Sequence, residues 1–127
     1  MPATEVLFFK ETNGNTPVLE FLQTLLPART KAYANCLAKI RLLKMFGSEL
    51  RRPHVDYLRD GIYELRAKDN TVQYRILFFY HGRNIAILAH ALTKEKAVPP
   101  LDIERAIAWK RQYEQDPKKH RAEEPVP

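Results

Sequence analysis

Arg66 and Arg75 stand on two adjacent segments that read as neighbouring β-strands, Tyr63-Glu64-Leu65-Arg66 and Tyr74-Arg75-Ile76-Leu77. Each carries a permanently charged, planar fork that matches two oxygens of a phosphate or a carboxylate. His90 lies on the next strand, and Lys94 and Lys96 follow it. Histidine exchanges a proton near neutral pH, and lysine supplies a point charge on a flexible stem. Breaking an RNA chain with its own 2′-hydroxyl needs such a set: a base, cations for the phosphorane, and an acid for the leaving 5′-oxygen. The plainer readings are a Glu64–Arg75 cross-strand ion pair and a hydrogen-bonded structural histidine at position 90.

Loop lengths decide whether these groups share a face. With Asp69-Asn70 as a two-residue turn, Glu64 pairs with Arg75 and Arg66 with Gln73. With Gly82-Arg83 as the next, Arg75 pairs with His90. This register collects Tyr63, Leu65, Tyr74, Ile76, Phe78, Tyr80, Ile85, Ile87, Ala89 and Ala91 on a core face. Glu64, Arg66, Gln73, Arg75 and His90 fall on the other, with Leu77, Phe79 and Leu88 at one end. A slip of one residue exchanges the faces.

The elements that must position this face follow from the rest of the chain. Val6-Leu7-Phe8-Phe9 reads as a first strand. Thr16-Pro17 starts a helix, with the hydroxyl as cap, that runs to about Leu26 before Pro27. A second helix spans about Arg29 to Phe46, with Tyr33, Leu37, Ile40 and Leu43 as its apolar stripe and Gly47 at its end. Residues 47–60 read as a charged linker, residues 61–67, 71–80 and 84–92 as three strands, and Leu101–Glu114 as a last helix. The expected fold is α+β: a small antiparallel sheet with two N-terminal helices on one face and a C-terminal helix, β-α-α-β-β-β-α. One domain over residues 1–115 and a charged, disordered tail over 116–127 complete the organisation.

The 127 residues carry a net charge of +6, concentrated in the second helix and the strands after it. This favours an acidic partner, and the lysines of the second helix are placed to lie over nucleic acid or simply to solubilise it. No apolar run is long enough to span a bilayer, and the N-terminus lacks the pattern of a signal peptide. The single cysteine, Cys36, reads as a buried structural thiol in a reducing, cytoplasmic setting. His54, His81, His90 and His120 show no metal-ligand spacing, so neither a metal nor another cofactor is expected.

The series Leu58-Arg59-Asp60-Gly61-Ile62-Tyr63-Glu64-Leu65-Arg66, Tyr74-Arg75-Ile76-Leu77 and His90-Ala91-Leu92-Thr93-Lys94-Glu95 resembles the RelE/ParE toxin superfamily, in particular its HigB-like branch of phage-derived host-inhibition proteins. Phe46-Gly47 through Pro53, Pro99 and Ile103-Glu104-Arg105-Ala106 extend the likeness over roughly residues 4–114. The resemblance implies the toxin of a type II toxin–antitoxin pair, a metal-independent endoribonuclease that cuts mRNA on the ribosome. By position it implies Arg66 and Arg75 as phosphate and transition-state contacts, Lys94 as acid or electrostatic stabiliser and His90 as base. Arg51, Arg52, His54, Lys68 and Lys96 would hold RNA. The implied partners are mRNA, the ribosome and a small helix-turn-helix antitoxin, with assembly as a homo- or hetero-oligomer. The competing classes are a non-enzymatic ParE-like inhibitor of a host protein such as gyrase, and a decayed module that binds nucleic acid or antitoxin.

Overall fold

The computed structural model describes residues 3–94 and 96–127. Met1 and Pro2, in the N-terminal reading, and Glu95, in the family motif, lie outside the described residues. The elements are β1 (Glu5–Phe8), α1 (Pro17–Thr24), α2 (Thr30–Phe46), β2 (Val55–Arg59), β3 (Ile62–Asp69), β4 (Val72–His81), β5 (Ile85–Thr93) and α3 (Pro100–Gln115), with a short 3-10 turn at Gly47–Glu49. They form an α+β fold around one five-stranded sheet of order β1-β5-β4-β3-β2. The sheet is mixed, because β1 runs parallel to β5 while the other pairs are antiparallel.

Each helix obeys its local chemistry with one substitution of partner. Pro17 occupies the first turn of α1, but the Thr16 hydroxyl does not cap. Instead the Thr16 N–H donates to the Glu20 carboxylate at 2.8 Å, half of a reciprocal capping arrangement. The helix stops at Thr24, so Leu26 is left exposed. α2 ends at Gly47, whose φ of +53° suits glycine. A Cβ there would collide with the Thr4 hydroxyl. The Thr4 N–H also donates to the Lys44 carbonyl at 3.0 Å, which ties the entry to β1 to the end of α2.

The sheet has two apolar faces. α1 and α2 cover one, where Val18, Leu22, Cys36, Ile40 and Leu43 meet Leu65, Tyr74, Ile76, Phe78 and Leu88. α3 covers part of the other, with Ala106, Ile107 and Tyr113 against Leu77, Phe79, Ile87 and Ala89. Each buried Leu, Ile or Phe contributes about 1.5–3 kcal/mol, so both layers are needed to stabilise a domain of this size.

The structure corrects the linker, the register and the tail. Residues 47–60 are not all linker, because Val55–Arg59 forms β2 and pairs with β3 through the two-residue turn Asp60-Gly61. Both turn residues have positive φ, +51° and +82°, as a tight hairpin with right-handed strand twist requires. Between β3 and β4 the turn is Asn70-Thr71, with Asn70 at φ +55°. Arg66 therefore pairs with Arg75 and Glu64 with Leu77. The displacement of two positions keeps every side chain on its expected face.

Between β4 and β5 the loop holds Gly82, Arg83 and Asn84, and His81 pairs with Ile85. This one-residue shift moves Ile85, Ile87 and Ala89 to the α3 face, and Ala86 and Leu88 to the α1–α2 face. A bulge then restores the parity: Phe78 pairs with Leu88 but Leu77 with His90, so Ala89 is the additional residue. Ala91 and His90 return to their expected faces. Arg75 pairs with Leu92 rather than His90.

Residues 116–127, expected to be a disordered tail, run back along β1. The Lys10 N–H donates to the His120 carbonyl and the Ala122 N–H to the Phe8 carbonyl, at 2.9 and 3.0 Å. His120 and Ala122 are buried. The His120 ring stacks on Phe9, which also stacks on Trp109. The charged composition had hidden a short anchored strap over the free edge of β1.

Candidate functional site

The polar face is a set of cross-strand rows. Asp56, Glu64, Leu77 and His90 form one row from β2 to β5. Arg66, Arg75 and Leu92 form the next. Lys68 and Gln73 form the outermost, where the Lys94 N–H donates to the Gln73 carbonyl at 3.2 Å. α3 covers the inner end, so charge increases toward the turn end of the β3–β4 hairpin.

The two arginines are brought together but are not bare. Arg75 Nη1 donates to both carboxylate oxygens of Glu64 at 2.8 and 3.0 Å. Arg75 Nε donates to the Lys94 carbonyl at 3.1 Å. Both side chains of this pair are buried. Arg66 Nε donates to Glu64 at 2.8 Å and its Nη2 to Asp56 at 3.0 Å. Its side chain keeps 34% of its surface exposed. Asp56 also accepts two bonds from Arg52. The chain Arg52–Asp56–Arg66–Glu64–Arg75 is thus an alternating ionic network, and Arg66 is the strand arginine with a face toward solvent.

His90 sits one row further in. Its Nε2 lies 2.7 Å from the Asp102 carboxylate, on the first turn of α3. Its ring meets Trp109 edge-on. A carboxylate against one ring nitrogen fixes the orientation of an imidazole, which serves a structural histidine and a proton-transfer histidine equally.

The lysines lie toward the outside. Exposed Lys94 and Lys96 line an open hollow of about 570 Å³ with Thr71, Gln73 and Thr93. Neither forms an ion pair among the described residues. Exposed Lys68 borders a second hollow of about 410 Å³, shared with Lys39, Asn35, Arg66 and Gln73. Exposed Arg51 and Arg52 line a third hollow with Tyr57 and Tyr63. His54 is half-buried, with Nδ1 2.6 Å from Lys39 Nζ. The expected RNA contacts therefore divide between the hairpin end and the α2–β2 side.

Asp56 and Asp102 are the partners that sequence reading passed over. The Asp60-Gly61 turn, preceded by Val55 and Tyr57 in alternation, was the pattern that identifies β2 and hence Asp56. Nothing local could pair Asp102 with His90. Among the described residues no three of His, Cys, Asp or Glu are grouped to hold a metal ion. Cys36 is buried, and burial pushes its thiol up to about 11, which keeps it protonated and unreactive at neutral pH.

A mixed sheet flanked by helices, with a basic, partly ion-paired hairpin end, defines a small α+β protein with a basic surface at one end of its sheet. The chain belongs to the phage derived protein Gp49-like family, whose model matches residues 23–111. That family is related to the RelE/ParE-like toxins of toxin–antitoxin systems. The match reaches from the end of α1 into α3 and leaves β1 and the strap outside it. No curated protein matches the sequence.

Proposed function

We propose that this protein is the toxin of a type II toxin–antitoxin pair, of the HigB-like branch, and that it cleaves mRNA on the ribosome without a metal ion. The observation that carries the reading is the open hollow holding Lys94 and Lys96, set beside the arginine row and reached by its backbone contact: Arg75 holds the Lys94 carbonyl. Partly exposed Arg66 takes a phosphate oxygen. Arg75 fixes the end of β5, and so the origin of the Lys94 side chain. His90, oriented by Asp102, accepts the proton of the 2′-hydroxyl, whose oxygen attacks the adjacent phosphorus. The 5′-oxygen leaves with a proton from Lys94, giving a 2′,3′-cyclic phosphate and a 5′-hydroxyl. A helix-turn-helix antitoxin is the expected partner and the cytoplasm the expected place of action. No helix among the described residues is long and apolar enough to cross a membrane.

The test is a translation extract. Addition of the protein shortens mRNA within the translated region and leaves cyclic phosphate ends. Arg66→Ala slows cleavage by about 10–150-fold, the equivalent of about 1.5–3 kcal/mol for one charge-assisted contact. Intact mRNA with halted DNA supercoiling moves the function to the gyrase-inhibitor class. One observation favours that second reading: Arg66, Arg75 and His90 all have carboxylate partners, as they would in a scaffold that does no chemistry.

A further inference from the structure

The hollows of Lys94–Lys96 and of Lys39–Lys68 have one lining residue in common, Gln73. Gln73 lies opposite Lys68 on β3, and its carbonyl receives the Lys94 N–H from the other side. The three residues thus cross the end of the sheet in one line, and two strand spacings set Lys68 and Lys94 roughly 10 Å apart at the backbone. Beyond Lys68 the line continues onto α2. Asn35 Nδ2 donates to the Lys68 carbonyl at 2.9 Å, which docks the helix against the hairpin end. Lys39, one turn further along, is steadied by its contact with His54. Among the described residues no carboxylate lines either hollow. Asp56 and Glu64 hold the inner side of Arg66 instead.

We infer that the two hollows are one binding track for a single-stranded RNA backbone, with the α2 side as a flanking subsite that meets the reacting groups only at Arg66. The inference rests on the RNA reading above and assigns Lys39, Asn35 and Gln73 to it. Lysines at both ends neutralise phosphates. Gln73 and Asn35 offer amide donors and acceptors to sugars or base edges between them. Among the described residues no aromatic side chain lines either hollow, so affinity comes from phosphate and is sequence-tolerant and salt-sensitive.

The experiment measures binding of a fluorescent 2′-O-methyl RNA of about twelve nucleotides, which lacks the nucleophile, over a range of salt. For single strands, log K falls with log salt by about 0.7 per neutralised phosphate. The double substitution Lys39→Gln with Lys68→Gln is expected to flatten the slope by about 1.4, and Lys94→Gln with Lys96→Gln by a similar amount. Lys39→Arg with Lys68→Arg retains the wild-type slope, which separates lost charge from damaged folding. Lys118→Gln with Lys119→Gln, on the strap beside β1 and outside the lining of both hollows, leaves the slope unchanged. An unaltered slope in the Lys39–Lys68 pair, beside a reduced one in the Lys94–Lys96 pair, overturns the track while leaving the RNA reading intact. Absence of RNA binding by the wild-type protein overturns both. Equal binding of polyglutamate of matched charge assigns the track to an acidic protein and overturns it as an RNA site.

Discussion

Arg75 and Glu64 are diagonal neighbours on adjacent strands and form a buried, two-oxygen contact at 2.8 and 3.0 Å. The ion pair that seemed an alternative to function is therefore part of the framework. Glu64 holds both strand arginines, and Arg75 passes the constraint to the Lys94 carbonyl.

This changes what Arg75→Ala does. On sequence alone it should disable the site and leave the fold intact. In the structure it takes the two-oxygen partner from a carboxylate whose side chain is only 2% exposed and leaves it a single contact with Arg66. The expected cost is about 3–5 kcal/mol, measured by urea unfolding. Glu64→Leu with Arg75→Met recovers most of it, because an apolar pair of similar volume leaves no buried charge. A single Arg75→Ala variant with wild-type stability would contradict the buried pair.

His90→Gln is expected to retain the fold and to slow RNA cleavage by about 10²–10⁴-fold if His90 is the base. Asp102→Asn keeps the shape but removes the charge that orients the ring. It should reduce the rate less than His90→Gln does, a response that a purely structural contact does not give. A near-normal rate in His90→Gln assigns the histidine to packing against Trp109.

Removal of residues 116–127 is expected to destabilise the protein by roughly 2–4 kcal/mol. The loss comprises the two backbone hydrogen bonds with Phe8 and Lys10 and the stacking of His120 on Phe9. Trp109 emission, which reports the Phe9 stack, should move to the red in the folded truncated protein. Unchanged urea midpoint and emission would mean that the strap is dispensable.

Alkaline pH is expected to weaken the fold. Burial pushes the Cys36 thiol from 9.0 to about 11, and burial followed by the neighbouring Tyr63 raises Tyr80 from 10.0 to about 12. The unfolded chain releases these protons first, so their contribution is complete below about pH 9 and falls as pH rises toward 11–12. Urea midpoints at about pH 8 and about pH 10.5 measure the loss, and Cys36→Ala should reduce it. A midpoint independent of pH over this range would contradict the burial of both groups.

The sequence by itself determined the element types other than β2 and the division of the β3 and β4 side chains between two faces. Helical spacing in Ile40 and Leu43 and alternation in Tyr74, Ile76 and Phe78 are local properties, written in a few consecutive residues. The faces of β3 and β4 survived a misplaced turn because the pairing moved by an even number of positions. In β5 a longer loop and then the bulge at Ala89 changed the faces and changed them back, and neither has a local signature strong enough to fix it. The partners of Arg75, His90 and His120 were decided only by tertiary structure. Arg75 meets Glu64 across a hairpin, His90 meets Asp102 on a helix packed against the sheet, and His120 reaches back to Lys10 at the other end of the chain. Such contacts depend on where whole elements settle, which burial of both sheet faces dictates and no short window of sequence contains.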